Sequence, residues 1–208
     1  DLPAAERVVD VARLRAAFPI GGRPPVPAPI EAQGALLAAV LAVFYESDGQ
    51  TWLILTRRSQ ALRAHRGEVS FPGGSRDDDE ALVTTALREA EEEIGLDRAA
   101  VEVIGELDHL STAISSVAIA PFVAVLADPP GELRADAAEV ERILRVPVAE
   151  LLLDDVFHEE VWELGGLTRP IWFFELVGDT VWGATAAMLC QLLVRVLGLD
   201  DRRWRRAW

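Results

Sequence analysis

The chain has 208 residues, half of which are hydrophobic, and a formal net charge of −14. This length and composition indicate one globular domain with a sizeable core and some appended segments. The acidic balance argues against broad nucleic-acid binding, which requires cations that neutralise phosphates. Apart from histidine, every basic residue is an arginine. The lack of lysine excludes a P-loop phosphate site and a Schiff-base mechanism.

The cysteine content and the apolar runs indicate the compartment. Cys190 is the single cysteine, which excludes an internal disulfide and a cysteine-cluster zinc site and is typical of a reducing cytosol. The longest apolar runs are shorter than the roughly 20 residues that cross a bilayer, and no cleavable leader is recognised. We therefore expect a cytoplasmic protein with no membrane partner. The oligomeric state is open, and a homodimer is compatible with the sequence.

In chain order, apolar residues predict a helix over residues 4–18, and the Pro/Gly-rich stretch after it predicts a connector. Residues 1–30 are assigned to this helix and connector, and residues 31–208 to the main domain. The apolar run at 34–45 and the following "TWLILTRR" predict paired strands. Further strands are predicted at 101–107, 117–126, 140–146, 156–162, 170–177 and 180–182, and helices at 80–94 and 184–197. This mixture predicts a layered α/β or α+β domain. The C-terminal "DDRRWRRAW" is either a basic-aromatic binding element or, as we favour, a frayed or docked end.

The helix predicted at 80–94 carries a cluster of carboxylates near its C-terminal end. At 3.6 residues per turn, Glu89, Glu92 and Glu93 share one face. The core-facing stripe consists of Val83, Leu87, Ala90 and Ile94. Like charges at this spacing destabilise a helix, and its macrodipole also disfavours anions at this end. A divalent cation among the carboxylates removes both penalties, and hard oxygen ligands favour Mg²⁺ or Mn²⁺. A solvated acidic face is the alternative for these residues taken alone.

Two neighbours of the cluster fit this interpretation. Arg88 lies four residues before Glu92 and can hold that side chain in place. Gly95, followed by Leu96, is typical of a helix C-cap with its hydrophobic contact. The helix is therefore predicted to end just after the carboxylates.

The spacing of charged residues and glycines is more specific than the acidic face. Gly74 is followed after five residues by Glu80, and after seven more by Arg88 and Glu89. Ala90, Glu92, Glu93, Gly95 and Leu96 complete the arrangement. It resembles the Nudix box, G-x5-E-x7-R-E-U-x-E-E-x-G-U, with Ala90 in place of a bulkier aliphatic U. The resemblance implies an α/β fold, namely an α/β/α sandwich with a mixed β-sheet and a loop–helix–loop. It also implies that residues 31–208 hydrolyse a nucleoside diphosphate linked to another moiety.

The same resemblance implies a role for each box residue. Glu89 and Glu93, with the carbonyl of Gly73, would hold the main cation. Glu92 would complete a second cation site or help to deprotonate water, so Arg88, Glu92 and Glu93 form the catalytic set. Three further residues support the site: Glu80, Gly74 and Gly95. The general base stays open, because Nudix enzymes take it from the box or from a later loop. Candidates outside the box are Glu159, Glu160 and Glu163, and a solvated hairpin explains them equally well.

A second resemblance lies directly upstream, in "ILTRRSQALRAHRGEVSFPGG" at residues 54–74. It is similar to the motif L-L-T-x-R-S-x-x-L-R-x-H-x-G-Q-V-x-F-P-G-G of the coenzyme A pyrophosphatase branch, with Glu68 where glutamine is usual. The implied reaction is metal-dependent cleavage of coenzyme A, or a derivative, to 3′,5′-ADP and 4′-phosphopantetheine. Arg58, Arg63 and His65 are the candidate substrate contacts, because arginine forks bind phosphates bidentately. Structural ion pairs are the alternative for the arginines, and loop orientation for His65.

Three other functions are weighed against this one. The first is a Nudix hydrolase acting on another nucleotide, such as ADP-ribose or a dinucleotide. The second is an inactive Nudix-fold regulator, but such proteins usually lose box carboxylates and this chain retains them. The third is an acidic calcium-binding or interaction domain, for which the spacing of the box would be a coincidence.

Overall fold

The computed structural model describes residues 7–62, 64–111, 117–164 and 167–199. The α-helices in these ranges are α1 (Val11–Ala17), α2 (Leu82–Ile94) and α3 (Gly183–Val196). The strands are β1 (Leu36–Ser47), β2 (Gln50–Arg58), β3 (Val69–Ser70), β4 (Gly73–Ser75), β5 (Val101–Glu106), β6 (Leu110–Ser111), β7 (Val117–Leu126), β8 (Val140–Pro147), β9 (Phe157–Leu164), β10 (Leu167–Leu176) and β11 (Asp179–Trp182). None of the helices in the described ranges is long and apolar enough to cross a membrane. The basic-aromatic segment at 200–208 lies outside the described residues.

Most of the predicted elements are confirmed, but the first helix is shorter than expected. Residues 7–10 are not helical, and α1 begins at Val11 because the Asp10 side chain caps it by accepting the N–H of Arg13 at 2.7 Å. Gly73 opens the short strand β4, which was not predicted and which pairs antiparallel with β1. The predicted hairpin of β1 and β2 is present as an antiparallel pair.

The main sheet is mixed, as predicted. Its central strand β1 pairs antiparallel with β2 and parallel with β7. At the outer positions, β5 pairs antiparallel with β7, and β8 pairs antiparallel with β2. A second sheet in the described ranges has the order β11-β10-β9. Residues 39–45 of β1 are all buried, as is typical of a strand covered on both faces.

Alternation along β1 divides the core into two layers. Leu41 and Val43 face α2, in a cluster that includes Ala90 and Ile94 of that helix. The intervening residues Ala42 and Phe44 belong to a larger cluster with α1, α3 and the second sheet. The prediction of an α/β sandwich is therefore confirmed. The boundary at residue 30 stays a prediction, although Leu14 and Phe18 of the N-terminal segment lie in the larger cluster.

The C-terminal end of α2 is held by loops distant in sequence. Gly95 has φ +67° and donates its N–H to the Glu91 carbonyl at 2.8 Å, as predicted for a C-cap. The carbonyls of Glu93 and Ile94 accept N–H groups from Asp136 and Arg134, both at 2.9 Å. These bonds satisfy helix-end carbonyls that have no partner within the helix. They fix the carboxylate end of α2 beside the loop that leads into β8.

Candidate active site

Arg88 is the centre of the ion-pair network on α2. Its guanidinium donates to Glu80 at 2.8 Å, to Glu89 at 2.8 Å and to Glu92 at 3.0 Å, and it also reaches the carbonyl of Ser75 at 3.1 Å. The contact with Glu92 is the one expected from their spacing along the helix. Hydrogen bonding by Arg88 lowers the pKa of the Glu80 carboxyl to about 2. The guanidinium of Arg88 therefore holds the carboxylates of Glu80, Glu89 and Glu92 in a fixed arrangement.

Glu93 is the buried carboxylate of the cluster, with 3% of its surface exposed. It accepts the N–H of Gly73 at 3.1 Å, and the Arg58 guanidinium lies 3.8 Å away. Burial raises the pKa of Glu93 to about 7, although the Gly73 N–H and the Arg58 charge oppose the rise. A buried carboxylate with so few partners favours either a proton or a cation beside it.

Glu89 lies directly against the backbone of Gly74. A Cβ at Gly74 would come within 2.5 Å of the Glu89 carboxylate. Burial also raises the pKa of Glu89, whereas the hydrogen bond from Arg88 lowers it. The glycine that opens the box is thus required so that a carboxylate can approach the main chain closely.

Glu92 lies at the rim of the site rather than inside it. Its side chain is 59% exposed and is held through Arg88. The neighbouring Glu91 faces away from the cluster and pairs with Arg98 at 2.6 Å. The structure therefore places Glu89 and Glu93 against the two glycines and leaves Glu92 at the solvent boundary.

The upstream segment meets the carboxylates through Arg58. The backbone of Arg58 accepts the N–H of Gly67 at 3.0 Å and donates to the Glu68 carbonyl at 2.9 Å, which folds the segment back on β2. His65 is exposed, has φ +55°, and its Nδ1 lies 2.9 Å from the Glu68 carboxylate. Glu68, in the position where glutamine is usual, thus pairs with His65. Arg63, the other proposed substrate contact, lies outside the described residues.

Glu139 was missed by the sequence analysis. Burial is the main cause of the raised pKa of Glu89 and of Glu93, and the charge of Glu139 adds to both rises. Its carbonyl accepts the N–H of Ser59 at 2.8 Å, and the next residue, Val140, pairs with Arg58 across β2 and β8. An acidic residue before a strand is common, so the local sequence does not indicate its neighbours. The pairing of β8 with β2 shows that Glu139 lies beside the end of β2.

The proposed outside bases lie on the second sheet. Glu159 accepts the indole N–H of Trp172 at 2.8 Å, and Glu160 accepts that of Trp162 at 2.7 Å. Their carboxylates therefore have structural partners on β9 and β10. Glu163 is exposed on the same strand.

The donor chemistry of the cluster fits a divalent cation, since carboxylate and carbonyl oxygens suit Mg²⁺ and Mn²⁺. The geometry is not that of a ready site. Within the described residues, no three histidine, cysteine, aspartate or glutamate side chains converge to hold a metal ion. The oxygens of Glu89 and Glu93 instead meet Arg88, Arg58 and the Gly73 N–H. Cation binding would have to exchange some of these contacts for metal–oxygen bonds.

Comparison with known proteins identifies the family. Residues 35–164 match the NUDIX domain. The chain is 38% identical over 146 residues to the Nudix hydrolase NudL of Photorhabdus laumondii. This match covers 69% of this chain and 76% of that protein. It is 36% identical over 149 residues to NudL of Escherichia coli, covering 71% and 76%. Both relatives carry the description "uncharacterized".

The fold comparison agrees with the sequence match. A MutT/nudix family protein from Enterococcus faecalis superposes with a TM-score of 0.53, covering 92% of this chain and 81% of that one at 14% identity. At this identity the likeness concerns the fold alone. Together with the extent of the sequence match, it shows that the chain belongs to the Nudix family, whose hydrolases act on nucleoside diphosphates linked to a second moiety.

Proposed function

We propose that the chain is a pyrophosphohydrolase that cleaves the diphosphate of coenzyme A, or of its derivatives, to 3′,5′-ADP and 4′-phosphopantetheine. The observation that carries the proposal is the contact between two motifs. Arg58, from the segment that resembles the coenzyme A branch, lies 3.8 Å from the buried box carboxylate of Glu93. An anion-binding group and a candidate cation ligand therefore lie side by side, as cleavage of a metal-bound diphosphate requires.

The proposed cofactor is Mg²⁺ or Mn²⁺, held by Glu89, Glu93 and the carbonyl of Gly73, with Glu92 at a second position. When bound, such an ion neutralises phosphate oxygens and lowers the pKa of a coordinated water. Arg88 keeps the carboxylates of Glu89 and Glu92 in place through its guanidinium fork. Carboxylates held in this way would not need to reorganise when negative charge develops on the phosphate oxygens during the reaction.

Arg58 is proposed to exchange its carboxylate partner for a substrate phosphate. Its 3.8 Å separation from Glu93 is longer than a hydrogen bond, so this pair is weak and easily replaced. Water then attacks one phosphorus, the bond from that phosphorus to the bridging oxygen breaks, and a proton leaves the attacking water. Glu92 at the exposed rim is well placed to accept that proton, and Glu139 is a second carboxylate near the cluster. Arg63 and His65 remain proposed phosphate contacts of the same segment.

The direct test is incubation of the full chain with coenzyme A and Mg²⁺, followed by mass analysis of the products. We expect equal amounts of 3′,5′-ADP and 4′-phosphopantetheine, and no products when a chelator is present. A panel with ADP-ribose and a dinucleotide provides the comparison. Faster cleavage of a substrate that lacks the 3′-phosphate would displace coenzyme A as the substrate. The absence of hydrolysis across the whole panel would favour the inactive regulator. We propose the cytoplasm as the location of the activity.

A further inference from the structure

A second feature of the molecule is a cavity of about 640 Å³ between the end of β2 and the hairpin of β10 and β11. Arg57 and Arg66 line one side, Glu175 and Trp182 line the other, and Glu68 completes the wall. None of these residues belongs to the Nudix box. The volume falls within the range of small-molecule sites, about 300–1,000 Å³.

The cavity and the carboxylate cluster share the same strand end. Arg57 lines the cavity, and the next residue, Arg58, contacts Glu93. The cavity residues Gly67 and Glu68 are hydrogen-bonded to the backbone of Arg58. A ligand with its diphosphate at the carboxylates would have to pass around the end of β2 to enter the cavity.

The charges of the cavity do not favour a phosphate. Among the described residues, its lining has three carboxylates, on Glu68, Glu175 and Asp179, and two guanidinium groups. The side chain of Asp179, which is 4% exposed, accepts from Arg57 at 3.3 Å and also binds Arg142, so Arg57 is already paired. A neutral group that donates hydrogen bonds suits this lining better than an anion.

The aromatic wall favours a flat ring. Trp182 is about one-third exposed and stacks on Phe173. Their ring centroids are 6.4 Å apart, and the angle between the ring planes is 10°. Phe173 stacks in turn on His158 at 4.8 Å, and Trp162 lies 5.9 Å from Trp182. This row of rings holds the indole of Trp182 rigidly at the cavity wall, as in sites where a base stacks on an aromatic side chain.

We infer that the cavity binds the purine base of the nucleotide substrate, stacked on Trp182, with its amino group donating to Glu175 or Glu68. Thr180 donates to Glu175 Oε2 at 2.6 Å and holds that carboxylate at the wall. His65 holds Glu68 in the same way at 2.9 Å. The inference rests on the proposed function, because it assigns one end of the same substrate.

Calorimetric titration of the full chain with 3′,5′-ADP, and separately with 4′-phosphopantetheine, tests this without turnover. Trp182→Ala should weaken 3′,5′-ADP binding by about tenfold or more, the effect typical of a lost base–aromatic stack, and Trp182→Phe should retain most of the affinity. Binding of 4′-phosphopantetheine should not change. Trp52→Ala is the control and should bind 3′,5′-ADP as the wild type does, because Trp52 packs against the core cluster on the α2 side and does not line the cavity.

Four results would overturn the inference: no binding of 3′,5′-ADP by the wild-type chain, unchanged affinity in Trp182→Ala, equal losses in the two alanine variants, or a loss confined to 4′-phosphopantetheine. If Trp182→Ala does not fold, Trp182→Leu replaces it, since leucine keeps apolar bulk without a ring face. A failure of the proposed function can be distinguished from a failure of the base site. A chain that binds 3′,5′-ADP through Trp182 but leaves coenzyme A intact would retain the base site and lose the coenzyme A assignment.

Discussion

Three consecutive glutamates of α2 have different surroundings, although they are identical in chemistry. Glu91 pairs with Arg98 away from the cluster, Glu92 is held at the rim by Arg88, and Glu93 is buried beside Gly73. Each residue turns the side chain by about 100° around the helix axis, so neighbours in sequence face different parts of the molecule. The chemistry of Glu93 therefore comes from its position, because burial is what raises its pKa to about 7.

The contrast between Glu93 and Glu91 gives a matched pair of variants. Glu93→Gln should lower turnover of coenzyme A by about 100-fold or more, because it removes a carboxylate proposed to hold the metal ion. Its midpoint of thermal unfolding should not fall, since the amide has nearly the same shape and removes a buried charge. Glu91→Gln should retain both turnover and stability. Steady-state kinetics and thermal unfolding measure the two effects, and near-normal turnover in Glu93→Gln would refute its role.

At the level of elements, the site depends on the close approach of β4 to both β1 and α2. Gly73 has φ +153°, and a Cβ there would lie 2.3 Å from the carbonyl oxygen of Ala39 in β1. At Gly74 a Cβ would instead meet the end of the Glu89 side chain. The first clash is with backbone that cannot move cheaply, and the second is with a side chain that can rotate. Two adjacent glycines therefore serve different purposes, one for the sheet and one for the carboxylate.

Alanine substitution should separate these purposes. Gly73→Ala should lower the free energy of unfolding by about 2 kcal/mol or more, because it forces β4 away from β1. Gly74→Ala should fold normally but lose turnover by about tenfold or more, because Glu89 is displaced from its position. Denaturant titration and kinetics measure the two outcomes. Gly131→Ala is the control, since a Cβ there meets no atom within 4 Å. A stable and fully active Gly74→Ala would contradict the placement of Glu89.

At the level of the whole molecule, the connector near residues 23–31 is tied to the end of β5. Asp108 accepts from Arg23 at 2.7 Å and from the N–H of Val26 at 2.9 Å. The nearly buried ring of His109 lies between two carboxylates, 2.6 Å from Glu31 and 2.7 Å from Glu106. Burial lowers the pKa of His109, but the hydrogen bonds to these carboxylates outweigh it, so the pKa is raised above its ordinary 6.5. When protonated, the imidazole ring of His109 can donate to both carboxylates and so join the connector to the sheet.

The raised pKa of His109 predicts how stability varies with pH. The folded protein binds the proton more tightly than the unfolded chain, so this stabilisation is fully present below pH 6.5 and is lost as pH rises through the folded value. His109→Gln should cost about 1–3 kcal/mol of unfolding free energy near pH 6, as expected for hydrogen bonds to a charged group, and less near pH 9. Glu106→Gln should reduce the pH dependence. Denaturant titrations across this range measure both, and a cost that does not change with pH would contradict the assignment.

The sequence determined the helices and strands and the spacing of the box, because these depend on residues within a few positions of one another. The face shared by Glu89 and Glu93, the Arg88 contact with Glu92 and the Gly95 cap are consequences of helix geometry alone. Pattern alone placed α1 too early, since the capping bond of Asp10 decides where that helix starts.

Only the tertiary structure decided which carboxylate is buried, which distant residues approach the cluster, and that a cavity lies beside it. The main chain of Glu139 meets Ser59 because β8 pairs with β2, and Arg57 meets Asp179 across 122 residues of sequence. Such approaches carry no local signal, because they result from strand pairing and from the packing of one layer on another. The local sequence thus specifies the candidate catalytic groups, while long-range pairing sets their burial, their charge and the space available to a substrate.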